Sequence, residues 1–346
     1  MSAVFVIAEA GVNHNGDLGR AFALVDAAVA AGADAVKFQT FKADSLVSKS
    51  LAQAAYQEKN TGQTQTQYEL LKSLELSDAA HKELFDYCND KNIEFMSTPF
   101  DDDSIDFLKT LGMRRWKIPS GELLSIPYLR KIAAFDEPTI LSTGMGNLAE
   151  VHLAVDTLLK AGLSKQHLTI LHANTAYPTP FEDVNLRAML TLAETFQVAV
   201  GLSDHSLGIE VPTAAVALGA AVIEKHFTLD KTLPGPDHQA SLEPQELKAM
   251  VSAIRHIELA LGSGEKVTST SESGHKSLVR KRIVAKQPIE AGMILSEDNV
   301  TLKRSEKGAL ATEWDRIIGQ TAQLDYEVDD GIDIGMDVGI DVDDGV

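Results

Sequence analysis

Two histidines, two lysines and three glutamates are the residues of this chain whose types and spacing could do chemistry. His205 and His226 stand 21 residues apart, each at the end of a short apolar β-type segment, Val198–Asp204 and Ala221–Phe227. If those segments are neighbours, the two imidazoles converge on one point. A two-imidazole site with open positions suits a catalytic divalent ion, its shell completed by water or a substrate oxygen. Asp204 and Glu224 flank the pair; the plainer alternative for either ring is a hydrogen-bonded core histidine. Lys37 and Lys117 form a cationic group on the segments Ala35–Thr40 and Arg115–Ser120. There a phosphate or carboxylate would be held by charge-assisted bonds. Buried Lys–Glu bridges to Glu9 and Glu122 are the alternative.

These residues belong to a regular series of elements. The other β-type segments are Val4–Ala10, Glu94–Pro99, Thr139–Gly144 and Thr169–Asn174, mostly continuous apolar runs, as in parallel strands covered on both faces. Helical patterns fall between them at Asp17–Ala31, Ser77–Asp90, Asp102–Leu111, Asn147–Ala161 and Leu207–Leu218, and a further helix at Pro244–Leu261 follows the last strand. Gly32, Gly112, Gly162 and Gly219 follow four of these helices at C-cap positions. Eight alternating βα units predict the α/β fold class, as a closed (β/α)8 TIM barrel. A doubly wound sheet would show G-x-G-x-x-G after its first strand, where this chain has AEAGVNHNGD.

Barrel enzymes build their sites at the C-terminal ends of the strands. Those positions hold Glu9; Lys37 and Gln39; Thr98 and Phe100; Lys117, Ser120 and Glu122; Ser142 and Thr143; Asn174, Thr175 and Tyr177; Ser203, Asp204 and His205; and Glu224, Lys225 and His226. Charged groups inside apolar strands are costly to bury without purpose. The loop Pro234–His238 past the eighth strand is able to bring Asp237 over the rim, a plain turn being the alternative. His14 and Asn15 precede a predicted helix start at Asp17, where capping explains much of the stretch. Cys88, the only cysteine, reads as structural and fits a reducing cytoplasm.

The net charge of −19 argues against a nucleic-acid or anionic-membrane partner. No long apolar run predicts a membrane span, and the N-terminus lacks the basic region of a signal peptide. After a barrel over 1–262, residues 263–280 are rich in Gly, Ser and Thr and read as an exposed linker. A small module over 281–326 follows, with strands near Arg282–Ala285 and Val300–Lys303 and little core of its own. Residues 327–346 carry −8 of the charge, leaving −11 for the rest, and read as a poorly packed acidic tail.

The blocks IAEAGVNHNGD, AVKFQT, FMSTPFD, KIPSGE, ILSTGM, NTAYPTPFEDVNL, GLSDHSLG, IEKHFTLDKTLPGPDH and SLEP resemble, in order, those of the sialic acid (nonulosonic acid) synthases. The stretch SLVRKRIVAKQPIEAGMILSEDNVTLKRSEKG resembles their antifreeze-like (SAF) domain. The resemblance implies a barrel joined to a SAF domain in a domain-swapped homodimer. It implies condensation of phosphoenolpyruvate with an open-chain 2-acetamido mannose-type sugar, releasing phosphate by C–O cleavage. It implies Mn²⁺, with Mg²⁺ or Co²⁺ as substitutes, on His205 and His226. It places phosphoenolpyruvate among Lys37, Thr98, Lys117, Ser120, Asn174 or Thr175, and Ser203, and the sugar near Gln39, Phe100, Tyr177 and Asp237. Glu9, Glu122 and Glu224 fall near the reacting centre, with Glu9 or Glu224 as the base, and Arg304 reaches a partner's site to bind the N-acetyl group. The order Asn174-Thr175, with FKADSLVSK and YQEKNTGQ, resembles the N,N′-diacetyllegionaminate branch more than the N-acetylneuraminate branch. Ala173 and Ala176 stand where the family commonly has Cys and, in that branch, Glu. A pseudaminic acid synthase, a sugar-phosphate condensing synthase and a non-catalytic sugar binder are the alternatives.

Overall fold

The structure, a computed structural model, describes residues 3–53, 57–58 and 65–333. Most of the YQEKNTGQ block and residues 334–346 of the acidic tail therefore lie outside the described residues. Eight parallel strands form the first unit: β1 (Phe5–Gly11), β2 (Ala35–Thr40), β3 (Glu94–Pro99), β4 (Trp116–Ile118), β5 (Thr139–Ser142), β6 (Leu168–Ala173), β7 (Ala199–Asp204) and β8 (Val222–His226). Their spatial order is β3-β2-β1-β8-β7-β6-β5-β4. β1 pairs with both β2 and β8, and β3 packs beside β4, so the sheet closes into the expected barrel.

Helices begin where a short polar side chain satisfies the first free N–H groups. Asp17 accepts from Arg20 N, Ser77 from Ala80 N and Asn147 from Glu150 N. Most elements fall within a residue or two of the expected bounds, and two of the departures have a plain local cause. β4 stops at Ile118, because Pro119 offers no N–H to the ladder and Ser120–Glu122 coil into a 3₁₀ turn. The helix expected from Leu207 begins only at Glu210, because Gly208 sits at φ +74°, a left-handed conformation incompatible with a helical turn. Among the described residues no helix is long and apolar enough to cross a membrane.

The barrel interior is layered by the two-residue period of its strands. Ile7, Ala35, Met96, Ile140, Leu171 and Val222 fill the lower interior as one apolar cluster. Two residues further along the same strands stand Glu9, Lys37, Thr98, Ser142, Ala173 and Glu224. The interior thus changes from hydrocarbon to charge within one pleat. The larger core lies outside the strands, between barrel and helices, and includes Leu24, Leu84, Leu108, Trp116, Leu129, Leu158 and Ile254.

The second unit starts at Gly264. The linker is only partly irregular, since Thr270–Val279 form a helix opened by a Ser269/Glu272 capping box, with no buried residue. β9 (Lys281–Ala285) pairs antiparallel with β10 (Val300–Arg304). Contrary to expectation, this module has a core of its own, ten buried residues from Ile283 to Ile332. The acidic tail is corrected with it over its first residues. Ile332 is fully buried, its N–H donates to Ile283 O, and Ala285 N–H donates to Asp330 O. The apolar Ile332 among acidic neighbours makes Glu327–Ile332 a closing segment of the module rather than a solvated end.

Candidate active site

β1, β2, β4 and β8 deliver four buried charges to the upper interior. Lys37 Nζ stands 2.8 Å from Glu9 Oε2 and 3.5 Å from Glu224 Oε2, and donates to Thr98 Oγ1 at 2.9 Å. Lys117 Nζ lies 3.4 Å from Glu224 Oε1. Ser203 donates to the same Glu224 oxygen at 2.8 Å. Each member is at most 4% exposed, so the charges survive only by pairing. Their environments push the two carboxyls apart. Burial raises Glu9 to about 7, with Lys37 opposing. Burial also acts upward on Glu224, but Lys117, Lys37 and the Ser203 hydrogen bond outweigh it and hold that carboxyl down. Burial lowers Lys117, whereas on Lys37 the two carboxylates overcome it and raise the ammonium.

One pleat higher, the imidazoles of His205 and His226 meet with ring centroids 5.4 Å apart. The Tyr177 ring lies over His205 at 4.1 Å. His205 Nδ1 is hydrogen-bonded to the carbonyl of Asn174, which fixes the proton there and leaves Nε2 as a lone pair, 3.4 Å from Ser203 Oγ. His226 Nδ1 is buried with no hydrogen-bond partner among the described residues. Burial holds both rings neutral, His205 down to about 4 and His226 well below its ordinary value. Among the described residues no group of three or more His, Cys, Asp or Glu could hold a metal. A cation on these two rings would take its other ligands from substrate and water.

The quartet and both rings line a cavity of about 190 Å³ with Thr98, Ser120, Thr175, Tyr177 and Ser203. It shares Gln39, Phe100, Tyr177 and His226 with a second space of about 500 Å³, which Glu122 and Asp237 also border. Most sequence candidates therefore converge, and four need correction or separate placement. Lys117 pairs with Glu224, not Glu122, because the 3₁₀ turn carries Glu122 away to the larger space. Asp204 turns outward with the alternation of β7 and pairs with Lys225, itself outward on β8. Asn174 is folded into its own loop, Oδ1 accepting from Ala176 N at 2.8 Å, so Thr175 rather than Asn174 reaches the cavity. Arg304 ends β10 of the second unit, opposite Lys281, and is exposed there.

Ser142, not assigned a role from sequence, lines the inner cavity with a buried Oγ that has no hydrogen-bond partner among the described residues. Its signal was the two-residue step from Ile140. Asp237 reaches the larger space, and burial raises its carboxyl to about 6. The loop that carries it is clamped by the β1 turn. Asn15 Nδ2 donates to Pro234 O at 2.6 Å, and Asn15 Oδ1 meets His238 Nε2 at 3.2 Å. Gly235 packs so close that a Cβ there would lie 2.9 Å from Asn15 Oδ1 and 2.6 Å from the His238 ring. His14 accepts from Gly16 N through Nδ1, and Asp17 does the capping. Cys88 is fully buried, its thiol pushed up to about 12 by burial.

A closed parallel barrel with titratable groups gathered at the C-terminal ends of its strands defines a (β/α)8 enzyme. Residues 24–266 match the NeuB family and residues 280–332 the SAF domain; the chain belongs to the NeuB family, the nonulosonic acid synthases. It is 49% identical over 330 residues to an N,N′-diacetyllegionaminic acid synthase of Campylobacter jejuni subsp. jejuni, covering 95% of this chain and 99% of that one. It is 51% identical over 322 residues to an N,N′-diacetyllegionaminic acid synthase of Legionella pneumophila, covering 92% and 90%. The crystal structure of N-acetylneuraminic acid synthetase from Leptospira borgpetersenii in complex with citrate matches with a TM-score of 0.69 at 36% identity, covering 79% of this chain and 90% of that one.

Proposed function

We propose that this synthase condenses phosphoenolpyruvate with the open-chain form of a 2-acetamido mannose-type sugar, and that the sugar is 2,4-diacetamido-2,4,6-trideoxymannose, giving N,N′-diacetyllegionaminate and phosphate. The observation that carries the reading is the buried Glu9–Lys37–Glu224–Lys117 quartet opening on the same cavity as two neutral imidazoles. The two relatives named for that product support the choice of sugar.

Lys37 and Lys117 receive the phosphate and carboxylate of phosphoenolpyruvate through charge-assisted hydrogen bonds, with Thr98, Ser120 and Ser203 as neutral donors. The enol carbon forms a C–C bond to the aldehyde carbon, whose oxygen takes up a proton. The positive charge left at the carbon that bears the phosphate oxygen develops beside Glu9 and Glu224. Water adds there and loses one proton to a base, and as the C–O bond to phosphate breaks the new hydroxyl gives its second proton to the departing phosphate, leaving the keto acid. Glu9 is the better base of the two, because a carboxyl raised to about 7 takes a proton near neutrality and Glu224 is held down by two ammonium groups.

The lone pair on His205 Nε2 and the unpartnered Nδ1 of His226 fit a divalent cation, Mn²⁺ with Mg²⁺ or Co²⁺ as alternatives. When bound it supplies Lewis-acid polarisation of a carbonyl oxygen. Arg304 is proposed to complete the site of a partner in a domain-swapped homodimer.

The test supplies Mn²⁺, phosphoenolpyruvate and either N-acetylmannosamine or the diacetamido sugar, and measures phosphate and keto acid. No keto acid from any 2-acetamido aldose overturns the reaction, and preference for N-acetylmannosamine overturns the choice of sugar. His205→Ala turning over at the parent rate removes the metal. Mixed Arg304→Ala and His205→Ala subunits regain activity only if the sites are swapped.

A further inference from the structure

The larger space beside the charged cavity changes character away from His226. Part of its lining is an apolar lobe of Val12, Phe41, Leu46, Leu70 and Leu74, with Gln57 and Gln67 among the carboxamides of the same space. Val12 and Phe41 follow directly on β1 and β2, and Leu46, Leu70 and Leu74 come from the helices Ala43–Leu46 and Gln67–Leu74 in the connection to β3. Val12, Phe41, Leu70 and Leu74 form one buried cluster on which Leu46 packs. The Oε1 atom of Gln67 is buried with no hydrogen-bond partner among the described residues. An acceptor in such surroundings costs free energy unless a ligand supplies a donor.

Resting on the reading above, we infer that this lobe is the specificity subsite of the enzyme. It receives the end of the sugar remote from the aldehyde, provided that end carries a methyl group and an acylamino group rather than a row of hydroxyls. The aldehyde must lie by His205 and His226, so an extended open-chain sugar runs outward past Tyr177 and Gln39, which border both spaces. Its last carbons then lie against leucine. A terminal methyl and the methyl of an acetyl group are favourable there, whereas a row of hydroxyls loses more water than the few carboxamides of the wall can replace. An acylamino N–H supplies the donor that Gln67 Oε1 lacks. Discrimination follows mainly from what the wall withholds from a polyhydroxylated end.

The experiment compares kcat/KM for 2,4-diacetamido-2,4,6-trideoxymannose and N-acetylmannosamine in the full-length protein. The parent should favour the diacetamido sugar at least about 100-fold, two methyl contacts and one hydrogen bond acting together. Gln67→Leu should lower the ratio about tenfold, chiefly through KM for the diacetamido sugar. Leu46→Asn, in a helix only partly buried, should lower it about fivefold by offering hydroxyls a partner. The ratio is its own control, because a poorly folded fraction lowers both rates equally. A parent ratio near or below one, or a ratio unchanged in both variants, overturns the subsite while condensation stands. No turnover with either sugar overturns the reaction itself and the subsite with it.

Discussion

The lower and upper halves of the barrel interior lie on the same strands and obey opposite rules. Ile7 and Glu9, Ala35 and Lys37, Met96 and Thr98, Val222 and Glu224 are one pleat apart. The lower members meet other hydrocarbon and contribute through area removed from water, which is non-directional and forgiving of shape. The upper members are equally buried and are tolerable only because each charge has an opposite at a set distance. The difference teaches that function here occupies one layer across the barrel, and that the layer beneath supplies rigidity without taking part.

The largest expected effect breaks the upper layer. Lys117→Met removes one of two cations near Glu224 and should lower kcat/KM at least about 1,000-fold, by steady-state assay of phosphate release. Ile7→Ala should instead cost about 2–5 kcal/mol of stability by denaturant titration, with kcat per folded molecule within about twofold of the parent. Equal catalytic losses in the two variants would erase the distinction between layers.

The next effect sharpens it by pH. A base works deprotonated, and Glu9 is raised from 4.5 to about 7 by burial. Hence kcat/KM should rise about tenfold per pH unit up to pH 7 and flatten above it. Glu9→Gln should abolish that limb along with most of the rate. A limb that survives in Glu9→Gln assigns it to another group.

The layer was legible in sequence because strand periodicity is local. Glu94–Pro99 and Asp102–Leu111 form over the expected residues, since an apolar run and an Asp cap need no tertiary information. Facing was harder. Asp204 and Lys225 adjoin true cavity residues in sequence, yet alternation sends them outward to each other. Glu122 was displaced by a turn that Pro119 begins, and Asn174 by a loop closed on its own side-chain Oδ1. The leucine lobe was not legible, because it joins residues after β1 and β2 to a helix some thirty residues on, without a common period. Ile332 was hidden by acidic neighbours whose average composition resembles a solvated tail.

The smallest effect concerns how rim loops, unlike strands, are held in place. Asp237 has no ladder to fix it, and its loop depends on Asn15, whose side chain bonds Pro234 O on one side and His238 on the other. Asn15 itself sits at φ 51°, where Ala would be strained by about 1 kcal/mol, so an alanine variant would mix backbone with side-chain effects. Asn15→Gly relaxes the backbone and removes both bonds, and should raise the sugar KM about three- to tenfold with kcat within about twofold. Asn15→Asp keeps the acceptor for His238 and loses the donor to Pro234 O, so its KM should fall between. The KM for phosphoenolpyruvate, bound by residues on the strands, should move less than twofold in either. Equal rises in both KM values would mean that the clamp supports the whole rim rather than Asp237, and the contrast between strand-held and loop-held groups would fail.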